Sequence, residues 1–243
     1  MNQDIPALLE SAYGALLILI PAYNAGEAVG GVVRSVRTLS PDLAILVVDD
    51  GSTDATARTA KAAGAVVVSH AANMGKGVAL RTGFDYFLRT DLKAVVTLDA
   101  DGQHSPREIP NLIERWLHTH ADIIIGTRRR DFSRMPALRV VTNTLSSLLV
   151  SLSAGRYIHD SQSGFRLISR RAIANVETSS ASYGAESEIL IKAVSRGYTV
   201  DSAPISTIYA DERSYVHPVK QPIRFLWLII RSFFWRFQHV GKK

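Results

Sequence analysis

Five short apolar runs constrain this chain most. They are Leu16 to Ile20, Ala44 to Val48, Ala65 to Val68, Ala94 to Leu98 and Asp122 to Ile125. They do not alternate with polar residues and are rich in β-branched side chains, the pattern of strands buried on both faces of a parallel sheet. Between them lie amphipathic segments of helical period: Glu27 to Leu39, Asp54 to Ala63, Gly75 to Arg89 and Pro106 to His118. Asp54 is placed to cap the second segment. Ser105 and Pro106 open the fourth, with proline at the first helical position. Alternation at this pitch predicts an open α/β sheet. Beyond it, Leu138 to Leu152 and Ala185 to Arg196 read as helices, the latter ending at Gly197, and Tyr198 to Ala210 as further strands. No internal repeat or low-complexity linker divides the chain. The expected organisation is an N-terminal extension over 1–14, one domain over 15–212 and a tail over 213–243.

Composition removes several classes. Of 243 residues, 47% are hydrophobic and 21% charged, which supports a sizeable core and excludes wholesale disorder. The absence of cysteine excludes a disulfide scaffold, thiolate catalysis and a cysteine-zinc site, and fits a reducing compartment. The net charge is +6, but no acid follows Glu212, and seven of the 28 basic residues lie from Arg213 onward. The remaining 21 basic and 22 acidic residues leave a near-neutral body with a basic tail. A nucleic-acid binder carries its charge on the folded body, so no nucleic-acid partner is expected. Residues 1–14 lack the basic and apolar regions of a signal peptide. No stretch reaches the roughly 18 apolar residues of a membrane span.

In open α/β sheets, ligands bind beyond the carboxyl ends of the strands. The residues there are Pro21, Ala22, Tyr23 and Asn24 after the first run, then Asp49, Asp50, Gly51, Ser52 and Asp54 after the second. Asn73, Gly75, Lys76 and Gly77 follow the third, and Asp99, Ala100, Asp101, Gln103 and His104 the fourth. Carboxylates gathered on one edge repel each other and resist ionisation. A bound cation relieves that, and carboxylate and amide oxygens suit Mg2+ or Mn2+. Such an ion completes its shell with phosphate oxygens, which points to a nucleotide ligand. Each piece alone is weak. Asp50-Gly51-Ser52 fits a common turn followed by an N-cap as well as it fits a ligand site, and short acidic patterns such as Asp99-Ala100-Asp101 arise by chance. Lys76 between glycines lacks the P-loop spacing, and Gly26, Gly30 and Gly31 do not form a dinucleotide fingerprint. His104 reads as a turn residue rather than a metal ligand. The set, each member at its strand end, carries the information.

Four motifs together resemble a family 2 glycosyltransferase of the GT-A fold. They are Pro21-Ala-Tyr-Asn24, Val48-Asp-Asp-Gly-Ser-Thr-Asp54, Asn73-Met-Gly-Lys-Gly77 and Leu98-Asp-Ala-Asp-Gly-Gln103. Asp160-Ser-Gln-Ser-Gly-Phe-Arg166 is similar to a later motif of the dolichyl- or polyprenyl-phosphate sugar synthase branch. The resemblance implies a single Rossmann-like domain with a mostly parallel central sheet. It implies an inverting, metal-dependent transfer of a hexose from a UDP- or GDP-sugar to a lipid-linked acceptor such as polyprenyl phosphate. Pro21, Ala22, Tyr23, Asn24, Glu27, Asp50, Gly51, Ser52, Asp54, Lys76, Gly77, Asp99 and Ala100 would form the donor site. Asp101 and Gln103, with Asp99, would hold the metal. Arg128, Asp160, Ser163, Arg213 and Ser214 would face the acceptor. Two departures stand out. Ala25 occupies a position where the family often has glutamate, and the lysine that follows the Arg213-Ser214 pair in the branch is absent.

The transfer displaces a nucleoside diphosphate from an anomeric carbon. A metal at Asp101 would neutralise charge on the leaving group, aided by Lys76 or Arg166. Arg166 equally fits a salt bridge to Asp160. A lipid phosphate is already anionic at pH 7 and needs no base. A hydroxyl of a lipid or glycan would need one; Glu186 and Glu188 are the candidates, with stabilisation of a helix N-terminus as their alternative role, and Asp160 is a third, although the resemblance implies a structural or acceptor-side role for it. A third reading is a catalytically silent scaffold that binds nucleotide sugars. On a helical wheel, Lys220, Arg224, Arg231 and Gln238 share one face of the tail, with Phe225, Leu226, Ile229, Ile230, Phe233, Phe234 and Phe237 over much of the rest. That is an interfacial pattern. The expectation is an amphipathic C-terminal helix on an anionic membrane surface, placing the enzyme peripherally at the cytoplasmic face. Packing of that helix on the domain or on a second copy, as a homo-oligomer, is the alternative.

Overall fold

Apolar runs without alternation need cover on both sides, and the computed structural model supplies it. It describes residues 5–128, 137–176, 178–180, 184–206, 225 and 227–232. Seven strands form one sheet in the order β3-β2-β1-β4-β6-β5-β7. They are β1 (Leu16–Ala22), β2 (Ala44–Asp49), β3 (Val66–Ser69), β4 (Ala94–Thr97), β5 (Ile123–Arg128), β6 (Arg166–Ser169) and β7 (Val200–Ile205). The helices are α1 (Ile5–Tyr13), α2 (Val29–Arg37), α3 (Thr56–Ala62), α4 (Lys76–Leu88), α5 (Ile109–Thr119), α6 (Ala137–Ala154), α7 (Arg170–Asn175) and α8 (Gly184–Ser195).

Successive strand residues point to opposite faces, and each face has its own core. Leu16, Ile18 and Ile20 of β1 pack with Val32, Val33 and Val36 of α2, Leu112 and Ile113 of α5, and Ala12 and Tyr13 of α1. Leu17 and Leu19 face the other way, onto Leu80, Phe84 and Phe87 of α4, Val150 of α6 and Ile189 of α8. A fully buried side chain such as Phe87 contributes about 2 to 3 kcal/mol by leaving water. Residues 5–13, expected as part of an extension, are helical, and the end of α1 joins the core.

Three features go beyond the sequence reading. β6 runs antiparallel between β4 and β5, whereas the other pairings are parallel. Its Arg166 start and short length gave no apolar run to detect. β3 lies at one edge with Val66 half exposed, so it is not buried on both faces. β7 forms the other edge and there accommodates Pro204, which a central strand would not. At the fourth expected helix, Pro106 does stand at a helical start, in a 3-10 turn before α5, but Ser105 makes no side-chain cap.

The chain runs from β1 outward through β2 to β3, then returns to place β4 on the other side of β1. The carboxyl ends of β1 and β4 therefore flank a topological switch point, the place where such sheets bind ligands.

Candidate active site

The loops after β1 and β2 are tied to one another. The Asn24 amide donates to Ser52 Oγ at 2.9 Å, and Thr53 N donates to Asn24 Oδ1 at 2.9 Å. Gly26 N donates to Asp54 Oδ2 at 2.9 Å, while Asp54 Oδ1 accepts from Thr56 N. Burial works against ionised Asp54, but the bonds from Thr56 and Gly26 outweigh it and hold its carboxyl below the usual range. Asn24, Ser52 and Asp54, expected on the donor, thus also set the loop shape. Pro21 and Ala22 are buried in β1, while Tyr23 and Glu27 are exposed. Gly51 has φ +72°, and a Cβ there would lie 2.3 Å from the carbonyl carbon of Ala72. Only glycine lets these two turns touch.

Asp50 is 3% exposed and turns away from solvent. It accepts from Met74 N at 3.0 Å and Gly75 N at 2.7 Å, and lies 2.7 Å from His70 Nδ1. Lys76 follows at the first position of α4, with Gly77 buried behind it.

The Lys76 ammonium lies 2.5 Å from Asp99 Oδ1 and 2.9 Å from Glu186 Oε1. One cation thus joins the end of β4 to the start of α8. Burial alone would lower the lysine pKa, but the two carboxylates raise it well above the ordinary value. Burial opposes ionised Asp99, yet Lys76 and then His104 hold its carboxyl below the usual range. Gly164 lies against this pair: a Cβ would sit 2.8 Å from Asp99 Oδ2 and 2.9 Å from Glu186 Oε1.

Asp101 is the exception. Its one hydrogen bond among the described residues comes from Gln103 N at 2.9 Å. Burial and neighbouring Asp99 push its carboxyl above the usual range, more than Gln103 N, His104 and Lys76 restore. A carboxylate in this state favours an added cation. Among the described residues, no group of three or more His, Cys, Asp and Glu is arranged as a metal centre. The Asp101 carboxylate supplies hard oxygens, and the Gln103 side chain carries another two residues on, a donor set that suits Mg2+ or Mn2+.

His104 is 5% exposed, and its ring packs 5.5 Å from that of Phe165. Its Nε2 lies 3.8 Å from Asp99 Oδ2, and Nδ1 is buried without a hydrogen-bond partner among the described residues. Burial pushes its pKa down, and Arg128 adds to this against the pull of Asp99. His104 is thus part of the site wall as well as of the turn.

Arg128, at the end of β5, forks onto Asp160: Nε to Oδ2 at 2.7 Å and Nη2 to Oδ1 at 2.6 Å. Burial opposes the charge of Asp160, but these bonds hold its carboxyl low. Ser163, close by, is fully buried, and its Oγ has no hydrogen-bond partner among the described residues. Among the described residues, Arg166 makes no salt bridge to Asp160. Its guanidinium, 1% exposed, donates to the carbonyls of Ser163, Glu186 and Ser161 at 2.8, 2.7 and 2.7 Å. It ties the 161–163 segment to α8.

Glu188 stands apart from this group. It is fully buried and accepts from Thr178 Oγ1, Ser179 N and Oγ, and Ser180 N, with Lys192 Nζ at 2.6 Å. Burial alone would raise it, but Lys192 and these bonds hold it at about 2. That value is far from the optimum of a base at neutral pH. Glu186, paired to Lys76, is likewise engaged. Arg213 and Ser214, and most of the expected amphipathic tail, lie outside the described residues. Where described, residues 227–232 are helical, with Ile229 and Ser232 buried and Trp227 68% exposed. The sequence reading missed His70 and Thr82, although His70 stands at the carboxyl end of β3 like the residues it did collect.

The chain is 30% identical over 218 residues to UDP-N-acetylglucosamine--dolichyl-phosphate N-acetylglucosaminyltransferase of Methanococcus voltae, across 81% of this chain and 86% of that one. It is 31% identical to polyprenol monophosphomannose synthase of Mycolicibacterium smegmatis, across 78% and 76% of the two chains. Glucosyl-3-phosphoglycerate synthase from Mycobacterium tuberculosis, in complex with Mn2+, uridine diphosphate and phosphoglyceric acid, superposes with a TM-score of 0.74 at 22% identity, over 97% of this chain and 83% of that one. That likeness is one of fold, the GT-A type. Residues 17–176 match the model of glycosyl transferase family 2. The matched span opens in β1 and closes just after α7, enclosing the strand-end motifs around the crevice, and the chain therefore belongs to glycosyl transferase family 2.

Proposed function

We propose that this glycosyltransferase moves a hexose from a UDP- or GDP-sugar to a lipid phosphate, with inversion, using Mg2+ or Mn2+. The observation that carries the reading is Asp101, a carboxylate that burial and Asp99 push above its usual range and that makes no salt bridge among the described residues, beside the Lys76-Asp99-Glu186 cluster at the switch point. In the transfer, the bond from the anomeric carbon to the diphosphate oxygen breaks and a bond to an acceptor phosphate oxygen forms. The products are a nucleoside diphosphate and a sugar-phospholipid. A divalent ion held by Asp101 and Gln103 would neutralise the leaving diphosphate. Asp50 and Tyr23 would meet the base and ribose, and Asp99 the ribose or sugar.

No general base is required, because a lipid phosphate is an anion at neutral pH. The engagement of Glu186 and Glu188 supports this over transfer to a hydroxyl. Arg128, oriented by Asp160, supplies a cation toward Asp99 and His104, suited to an acceptor phosphate. One relative above is named for dolichyl phosphate and the other for polyprenol monophosphomannose, which supports this acceptor class. No described helix is long and apolar enough to cross a membrane. Leu145, Leu148 and Leu152 of α6 are each about half exposed, and Trp227 stands out from the short helical run. This apolar surface supports a peripheral position on an anionic membrane.

The test is transfer from labelled UDP-glucose, UDP-N-acetylglucosamine and GDP-mannose to polyprenyl phosphate in detergent, each with Mn2+ and with chelator. A labelled, metal-dependent sugar-phospholipid from one donor is the expected result. Product from a hydroxyl acceptor but none from polyprenyl phosphate would overturn the acceptor assignment.

A further inference from the structure

His70 lies just beyond β3 and has no place in the chemistry above. Its side chain is 11% exposed, and both ring nitrogens are engaged. Nδ1 lies 2.7 Å from Asp50 Oδ1, and Nε2 lies 2.9 Å from Thr82 Oγ1, two turns along α4. Its backbone amide also donates to Asp49 O at 2.9 Å, which fixes the imidazole beside β2. Both Asp50 oxygens already accept backbone N–H bonds, so Nδ1 is the donor to Asp50.

Asp50 is the hub. Oδ1 receives His70 and the Met74 amide, and Oδ2 receives the Gly75 amide. These amides form the turn that leads into α4, where Gly75 takes φ +97°. The next residue is Lys76, whose ammonium joins Asp99 to Glu186. A continuous set of contacts thus runs from Thr82 through His70 and Asp50 to the turn, and from there to the charged centre. If the imidazole is removed, a buried carboxylate loses one donor, and the group is free to rotate or to admit water. The amides of 74 and 75 would then lose their fixed acceptor. A displacement of about 1 Å in such a support is enough to impair a site strongly.

The geometry points to His70 as a positioning residue of the donor site: by holding Asp50 it fixes the turn at 74–75 and with it the place of Lys76. This rests on the reading of the crevice as a nucleotide-sugar site. It adds a residue that touches neither donor nor acceptor.

The experiment is calorimetric binding of UDP and GDP in Mn2+ to wild type, His70→Phe and His70→Asn, with the Tm of each measured in parallel. Phenylalanine keeps an aromatic ring but no donor. Asparagine places an amide N–H near the position of Nδ1. The expected result is a nucleotide Kd about tenfold weaker in His70→Phe, the scale of one hydrogen bond to a charged group, and within about twofold of wild type in His70→Asn. Unchanged affinity in His70→Phe overturns the proposal, whatever its Tm. An equal loss in both variants also overturns it, because the ring's packing and not its N–H would then be responsible. If His70→Phe does not fold, Thr82→Val decides: affinity about threefold weaker supports the proposal, and unchanged affinity overturns it. A wild type that binds neither nucleotide overturns the donor-site reading as well, whereas wild-type binding equalled by His70→Phe overturns this inference alone.

Discussion

Lys76 Nζ sits 2.5 Å from Asp99 Oδ1, an ion pair between the first residue of α4 and a residue two beyond the end of β4. Glu186 shares the same ammonium at 2.9 Å. Two partly buried carboxylates thus depend on one cation.

Lys76→Gln leaves both carboxylates without that cation. Removing one partner of a buried pair costs about 3 kcal/mol or more, readable by urea unfolding at pH 7. Asp99 is held low in the folded state, so its stabilisation is present above its unfolded pKa and is lost as pH falls through the folded value. The variant should lose part of this acid limb. An unchanged urea midpoint and acid limb would contradict the arrangement.

Asp101 shows the opposite sign. Its folded pKa is raised, so its ionised form weakens the fold above that value. Asp101→Asn should unfold at a higher temperature than wild type at pH 7 without metal. The difference should shrink as pH falls through the folded value and vanish below about pH 3, where the carboxyl is protonated in both states. Stabilisation by Mn2+ with nucleotide should disappear, together with transfer. Wild-type turnover under saturating Mn2+ and donor would sink the metal assignment.

Glu188 anchors the 178–180 segment, and its folded pKa of about 2 gives the sign. Its stabilisation is complete above the unfolded pKa and is lost as pH falls from about 4.5 toward 2. A shift of this size is worth about 3 kcal/mol. Glu188→Gln should lose a comparable amount at pH 7 and show a flatter stability profile between pH 5 and 2, measured by denaturant titration across pH.

Gly164→Ala puts a methyl group within 3 Å of Asp99 Oδ2 and Glu186 Oε1. Overpacking costs about 1 to 3 kcal/mol, and here it displaces two carboxylates of the charged centre. Turnover should fall by more than tenfold while far-UV circular dichroism stays native. Full activity would show that the carboxylates can shift without consequence.

Arg128→Lys keeps the charge but loses the fork that fits Asp160. The KM for polyprenyl phosphate should rise about tenfold, the scale of one charge-assisted hydrogen bond, with the donor KM little changed. A rise confined to the donor KM would move Arg128 to the diphosphate.

Much of this site was readable along the chain because strand-end motifs are local. An apolar run, then Asp49-Asp50-Gly51-Ser52 or Asp99-Ala100-Asp101, states both the strand and its exit. Individual roles were less legible. Glu186 and Glu188 stand two residues apart on α8, yet one meets Lys76 and the other closes on Thr178, Ser179 and Lys192. Helix geometry points residues i and i+2 in different directions, but what waits in each direction comes from other elements. Arg166 equally fitted phosphate or Asp160 in the sequence, and instead satisfies three main-chain carbonyls.

The sequence by itself determined the α/β class, the strand ends and the carboxylates that collect there, because hydrophobic period and turn chemistry act over a few neighbouring residues. Tertiary structure alone decided that β6 enters antiparallel between β4 and β5, that Lys76 is shared by Asp99 and Glu186, and that His70 grips Asp50. Those outcomes depend on distant segments competing for the same buried charge. Burial makes an unpaired charge costly, so the pairing is set by which partners the packed sheet brings within reach.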